Sequence, residues 1–333
     1  MGISGLLPAL HGATTAIHVS ELTGSVVGVD GASWLFRGGY ICAHELCTGR
    51  PTRRFADYVL DAAQTLVDAG LTPVVVFDGA VVPVKAELEA VRCASRASQV
   101  AEGLAQLAGG NKCGYRKLMA GFPVSCEMAA AAKQVLDAAG IACMFAPYEA
   151  DAQLAALFHA GVISAVVTDD SDMLAYGVDR VLVKFNKDSG RAHMIRLAHL
   201  ARSTSLDLVG FDGDMFLHMC ILAGCDYGPS LRGTGLKRAH ALVKHAPTLA
   251  TLLNVLAATD TVPRSYLTAF LAARLTFRHQ TVFDPASHEA RPLFPLDLAS
   301  IPPLPHDAPP LPADLHAALS PAPSPPGTCI QPR

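Results

Sequence analysis

The 333-residue chain is 51% hydrophobic and 17% charged, enough apolar residue for one large domain or two moderate ones. No apolar run reaches the roughly 18 residues a membrane helix needs; the opening MGISGLLPALHG lacks a basic leader segment and has Leu6 where a myristoylation pattern needs Ser or Thr. A net charge of −3 counts against a uniformly basic nucleic-acid binder, so the placement of the charges matters more than their sum. These features read as an intracellular globular protein. Nine cysteines without a C-x-x-C fit buried free thiols in a reducing compartment. Cys220 and Cys225 near His218 invite a zinc reading, but no second ligand pair follows at zinc spacing, and small core residues at a helix end explain them better.

Taken in chain order, five β-rich runs alternate with helical patterns. SVVGVD (25–30), PVVVFD (73–78), IACMFAP (141–147), ISAVVTDD (163–170) and RVLVKF (180–185) are near-continuous apolar runs, as expected of parallel strands covered on both faces. Arg53–Ala69, Glu127–Ala139 and Glu149–His159 carry helical periodicity between them. The alternation predicts an α/β fold with a mainly parallel sheet. Residues 84–125 interrupt it: Lys85 to Leu107 reads as a helix, and GGNKCGYRK as a breaker-rich stretch. A more helical region follows Phe185, with the Gly-punctuated CDYGPSLRGTGLKRAHAL near 225–242. From about Pro302 prolines dominate, and a disordered or extended tail is expected. The resulting organisation is an N-terminal region over 1–83, an insertion over 84–125, an internal region over 126–224, a helical region over 225–290 and a Pro-rich tail over 291–333.

The acids fall in a pattern relative to these strands. Asp30 closes the first and Asp78 the second; Glu149 and Asp151 open the helix after the third; Asp170 and Asp172 follow the fourth. In a parallel sheet all of them lie along the carboxyl edge, where open α/β folds bind ligands. Asp226, in GCDYG, is a seventh candidate. Any one of them is most simply a helix or turn cap. Together they would repel one another unless something positive sat among them, and hard oxygen-liganded cations such as Mg²⁺ suit the set. Two such ions can clamp the attacking and leaving oxygens of a phosphodiester. Asp169 fits the pattern less well than Asp170 and Asp172 and reads as a surface or supporting residue.

The runs MGISGLLP, VVGVD, VVVFDG, APYEADAQLA, TDDSDMLAYG and GCDYGPSLRGTGLKRA, in this order over roughly residues 1 to 245, resemble the flap endonuclease/XPG-type nucleases. Tyr148 and Asp151 in YEAD and Cys225 in GCDY look more like exonuclease 1 than flap endonuclease proper, and the tail lacks the clamp-binding motif typical of the latter. The resemblance implies a PIN-like core with a helical arch over 84–125 and a helix-two-turn-helix module. It also implies two Mg²⁺ ions and hydrolysis that leaves a 5′-phosphate. By position, Asp78 and Asp151 would touch the first ion, and Asp151, Asp170 and Asp172 the second; Asp30, Glu149 and Asp226 would act mainly through intervening water. Gly2 would pack beside the active site.

Lys85, Arg92 and Arg96, at i, i+7 and i+11, share one face of the inserted helix. The bland reading is a solvated helix face; the resemblance makes Lys85 and Arg92 catalytic, facing the scissile phosphate, with Arg96 contacting DNA. In SLRGTGLKRAH, Gly233 and Gly235 let the backbone approach a phosphate, and Lys237 and Arg238 follow at a helix start. The resemblance adds a K⁺ ion held there with Ser230. Two departures stand out: Ala32 and Phe36 occupy places where an aromatic residue and a His are usual, and Cys93, Ala94 and Ser95 replace common arginines. Weaker DNA binding or altered end-opening is expected, with an intact metal site.

The sequence therefore points to a Mg²⁺-dependent 5′-to-3′ exonuclease and 5′-flap endonuclease acting on double-stranded and flapped DNA, with no membrane role. Nuclear location is a family expectation only. A flap endonuclease proper, a DNA-binding module without catalysis and a metal-dependent phosphatase for small esters remain as alternatives. The phosphatase leaves the Gly-rich basic segment after GCDY without a purpose.

Overall fold

The computed structural model describes residues 2–297, 301–312 and 315. In chain order the elements are α1 (Leu6–Ala9), β1 (Thr14–His18), β2 (Val26–Asp30), α2 (Gly31–Ile41), α3 (Ala43–Cys47), α4 (Arg54–Asp68) and β3 (Thr72–Phe77). Then come α5 (Ala86–Ala108), α6 (Gly114–Gly121), α7 (Cys126–Ala138), β4 (Ala142–Phe145), α8 (Ala150–His159), β5 (Ala165–Val167), α9 (Asp172–Ala175), β6 (Arg180–Asn186) and β7 (Arg191–Arg196). The chain continues with α10 (Gly213–Ala223), α11 (Leu236–His245), α12 (Leu249–Ala257), α13 (Arg264–His279), β8 (Thr281–Asp284) and β9 (Glu289–Pro292).

One seven-stranded sheet runs β1-β7-β6-β5-β2-β3-β4. The strands β6-β5-β2-β3-β4 pair in parallel, with Asp30 opposite Val76 and Val29 opposite Val167. All five expected strands are present. Side-chain alternation sends Val75 and Phe77 of β3 to one face, where α2, α4 and α7 pack, and Val74 and Val76 to the other, under α8, α10 and α13. Two antiparallel strands, β1 and β7, extend the edge beyond β6. They escape sequence reading because TTAIH and RAHMIR are short, polar and only partly buried, with no apolar run to mark them.

Gly28, in the middle of β2, has a specific steric purpose. A Cβ there would overlap Ile163 Cδ1 and Leu154 Cδ2, at 2.5 and 2.6 Å. Its absence lets α8, the helix that carries Asp151 and follows directly on Glu149, lie close against the sheet.

The insertion is an antiparallel pair, α5 against α6. The stretch read as breaker-rich contains the start of α6. Gly103 and Gly114 face each other, and a Cβ on Gly103 would meet Gly114 O at 2.9 Å, so these glycines serve close helix packing as well as turning. Part of the Pro-rich tail, expected as disordered or extended, lies without regular secondary structure against the body of the protein. Residues 301–312 run along α13, where Ile301, Leu304 and Leu311 pack on Leu271 and Leu275, and Thr268 Oγ1 donates to Pro309 O at 2.7 Å. Leucines spaced among prolines give an apolar stripe to a segment with little conformational entropy left to lose. Residues 298–300, 313–314 and 316–333, the rest of that expected tail, lie outside the described residues.

Candidate active site

The carboxyl edge of β2, β3 and β5 opens into a cavity of about 300 Å³, lined by Asp30, Asp78, Glu149, Asp151, Asp170 and Asp226 and, from the arch, by Lys85, Arg92 and Arg96. Asp172 lies beside it, buried, with Oδ1 unpartnered among the described residues. Residues as far apart in the chain as Asp30 and Asp226 therefore meet at one place. Sheet topology brings most of them together, since those acids end a strand or open the helix that follows.

The capping roles are also realised. Asp30 caps α2, accepting from Ser33 N at 3.1 Å and from the hydroxyls of Ser33 and Thr168, the latter at 2.8 Å. Asp78 Oδ1 accepts from Ala150 N at 2.8 Å, tying β3 to the start of α8. Asp170 Oδ1 accepts from Asp172 N at 3.0 Å. Capping and clustering are compatible, because a cap that fixes one oxygen can leave the other to face the cavity. Asp169 faces away, to Arg37 and to Lys184 N.

The electrostatics are those of crowded acids. The Asp78 side chain is solvent-exposed and opens onto the cavity, although protein crowds round its carboxyl. Burial, and then Asp30, push its carboxyl up to about 7. Burial, and then Asp170, raise Asp151 and Asp172 well above the usual carboxylate range; Asp170 is raised too, by burial first. Asp226 goes the other way: burial would raise it, but Arg92 and Lys85 together outweigh this and hold it low.

Asp78 gives a testable sign. Its folded-state value of about 7 exceeds the ordinary value of about 3.9, so its stabilising contribution is complete below the ordinary value and drains away as pH rises through about 7. In metal-free buffer, Asp78→Asn is expected to raise Tm at about pH 8, with the gain shrinking as pH falls through about 7 and vanishing only below about pH 4. Thermal unfolding of both proteins in EDTA across that range measures it; a gain larger at the acid end than at the alkaline end contradicts the assignment.

The arch supplies the positive charge. Lys85 is 8% exposed; its ammonium contacts Glu149 Oε1, lies 3.8 Å from Asp226 Oδ2 and sits 4.4 Å above the Tyr227 ring. Burial alone would depress its pKa, but Glu149 and Asp226 raise it above the usual lysine range. Arg92 holds Asp226 in a two-pronged pair, Nη1 to Oδ2 at 2.9 Å and Nη2 to Oδ1 at 2.8 Å, and reaches Glu89 at 3.0 Å. Arg96 lies 3.8 Å from Glu89 and over the Phe36 ring. Phe36 and Ala32, the two departures in the early helix, also line the cavity.

The donor set suits hard divalent cations: all are carboxylate oxygens, and the buried Asp172 Oδ1 lacks a partner. No group of three His, Cys, Asp or Glu among the described residues forms a ready cage. Mg²⁺ does not require one, since it is commonly held by one or two carboxylates, water and substrate phosphate. Gly2 fits against this corner. At φ +82°, a Cβ there would fall within the van der Waals shells of Asp170 Oδ1, Asp172 Oδ1 and Ser171 Oγ, while Ile3 N donates to Ser171 Oγ at 2.8 Å.

Three supporting residues escaped the sequence reading. Thr168 and Ser33 orient Asp30, and Tyr227, within GCDYG itself, donates its hydroxyl to Glu149 Oε2. The basic segment lies apart from the cavity lining. Gly233 sits at φ +74°, Gly235 caps α11, and Lys237 and Arg238 occupy its first turn, with Ser230 upstream. His218 accepts from Arg274 Nε at 3.1 Å, burial carries its pKa down to about 4, and Cys220 is fully buried.

Two family models match the chain: the XPG N-terminal domain over residues 1–99 and the XPG I-region over residues 140–226. Exonuclease 1 of Arabidopsis thaliana is 40% identical over 291 residues, covering 87% of this chain and 40% of that protein. The chain thus spans less than half the length of that relative. Among solved structures, flap endonuclease-1 from Methanococcus jannaschii superposes with a TM-score of 0.54 at 24% identity, over 79% of this chain and 81% of that one. The Holliday junction-resolving enzyme GEN1, solved with product DNA and a Mg²⁺ ion, gives a TM-score of 0.56 at 19% identity, over 86% of this chain and 66% of that one. These likenesses establish the PIN-type nuclease fold.

Proposed function

Because the chain belongs to the XPG-type nuclease family, we propose that it hydrolyses phosphodiester bonds near the 5′ end of duplex or flapped DNA, as a 5′-to-3′ exonuclease with 5′-flap endonuclease activity. The observation that carries this reading is the convergence of Asp30, Asp78, Glu149, Asp151, Asp170 and Asp226 on one cavity, with Asp172 beside it, facing Lys85, Arg92 and Arg96 of the arch. Nuclear location is part of the same proposal.

In this reading a water attacks phosphorus in line, the P–O3′ bond breaks, and the products carry a 5′-phosphate and a 3′-hydroxyl. A pair of Mg²⁺ ions bound among Asp78, Asp151, Asp170 and Asp172 would supply charge neutralisation and water activation. Asp30, Glu149 and Asp226 shape the outer edge of that site. Lys85 and Arg92, paired here with Glu149 and Asp226, would exchange those carboxylates for the non-bridging phosphate oxygens once DNA enters, opposing the charge that gathers there. Gly233, Gly235, Lys237 and Arg238 would hold the duplex backbone away from the cut, with a K⁺ ion beside Ser230, setting position rather than sequence. Arg96 and Gly2 complete the DNA-facing edge.

Digestion of 5′-labelled and internally labelled duplex and flap substrates, run beside a small phosphate ester, tests the proposal. Mg²⁺-dependent cleavage of DNA without ester hydrolysis is expected. Hydrolysis of the ester alone would overturn it. Mononucleotide release against a short flap product separates the exonuclease from the flap reading.

A further inference from the structure

We infer that the segment following α13 is part of the apparatus that sets the Glu149 carboxylate, with Gln280 as the positioning residue. The inference rests on the reading of Glu149 as a carboxylate of the divalent-metal site.

Glu149 is the N-cap residue of α8, so its backbone is fixed, but its carboxylate is aimed by what donates to it. Oε1 meets Lys85; Oε2 receives the Tyr227 hydroxyl and, at 3.2 Å, Gln280 Nε2. These donors differ in how they are held. Lys85 belongs to the arch and has a phosphate to turn to. Tyr227 and Gln280 are both buried in the body of the protein. When Lys85 leaves, those two keep Oε2 occupied and Oε1 directed at the cavity.

Gln280 itself has little freedom. Its N–H donates to Thr276 O at 3.2 Å, and its carbonyl accepts from Leu293 N at 2.9 Å. The side chain is fully buried, and its Oε1 has no partner among the described residues. An unpartnered buried amide oxygen costs stability, and an apolar side chain of the same length would avoid that cost. What the amide contributes in return is the N–H on Glu149.

A second grip lies three residues on. Gln153 of α8 exchanges two hydrogen bonds with the backbone of Phe283 on β8: Nε2 to Phe283 O, and Phe283 N to Oε1, both at 2.8 Å. The strand thus docks α8 as a body through Gln153, while Gln280, just before the strand, aims the carboxylate at the head of that helix. Nothing in the two matched family regions, which end at residue 226, includes this strand.

Gln280→Met in the 333-residue chain keeps length and volume and deletes the donor. The readouts are Tm in EDTA and the Mg²⁺ concentration giving half of the metal-induced thermal shift, both without DNA. Supporting ligand partners typically tune metal affinity by about 10–100-fold, so the half-saturating Mg²⁺ is expected to rise about tenfold, with metal-free Tm unchanged or higher. Gln280→Asn, which keeps the amide but draws it out of reach, should move half-saturation the same way and serves if the Met variant does not fold. Half-saturation within about twofold of the unaltered chain, whatever Tm does, overturns the positioning role. Absence of any Mg²⁺-dependent shift in the unaltered chain instead removes the metal reading, and the inference with it.

Discussion

Asp170→Asn and Asp78→Asn are each expected to lower DNA cleavage by about 10³-fold, equivalent to about 4 kcal/mol of lost transition-state stabilisation, while flap DNA remains bound. Both substitutions keep shape. An amide oxygen in place of the Asp170 Oδ1 still accepts from Asp172 N, and one in place of the Asp78 Oδ1 still accepts from Ala150 N, so the strand ends and the start of α8 stay in place. What each removes is one negative charge from a cluster whose burial already opposes ionisation. In the proposed reading, cations bound there would keep so many carboxylates ionised, and weakening that binding would strike the chemical step directly. DNA affinity, in the same proposed reading, rests mainly on phosphate contacts elsewhere, through Lys237, Arg238 and the arch. Single-turnover cleavage at saturating enzyme, beside a binding titration in Ca²⁺, separates the two. Cleavage at the unaltered rate in either variant would refute the site assignment.

Lys85→Ala should lower the single-turnover rate by about 10²-fold and change DNA affinity far less. Its buried ammonium cannot contribute to encounter with DNA as an exposed lysine would, because Glu149 and Asp226 already neutralise it. In the proposed reading its value would lie in the transition state, when phosphate oxygens gain charge within reach of a largely buried cation. Arg92 stays beside Asp226 in the variant, so the arch keeps one anchor. A loss confined to affinity would place Lys85 among ordinary phosphate contacts.

The parallel centre of the sheet was legible because burial on both faces makes a strand an unbroken apolar run, as in PVVVF (73–77). The acids were legible for a related reason: where such runs end, the chain leaves the core, and Asp30, Asp78 and Asp170 mark those exits. The edge strands β1 and β7 were not, since half their residues face water and the pattern dissolves. The glycines around α6 misled because glycine has two uses, turning a chain and letting helices touch, and Gly103 against Gly114 is the second. Ion pairing was the least legible feature. That Lys85 and Arg92 share a helix face follows from spacing. That they turn onto Glu149 and Asp226 depends on segments 64 and 134 residues apart in the chain meeting in space. Gln153 did leave a trace, as the one uncharged polar residue in the otherwise apolar QLAALF (153–158), whereas Gln280 carries no local signal at all.

The central claim, that acids from separate strands share hard divalent cations, is tested most directly by counting Mn²⁺ bound to the DNA-free chain by electron paramagnetic resonance. Up to two Mn²⁺ per chain are expected, displaced by Mg²⁺ and reduced in an Asp172→Asn variant. Saturating Mn²⁺ that stays free in solution, or binding that Asp172→Asn leaves untouched, would contradict it.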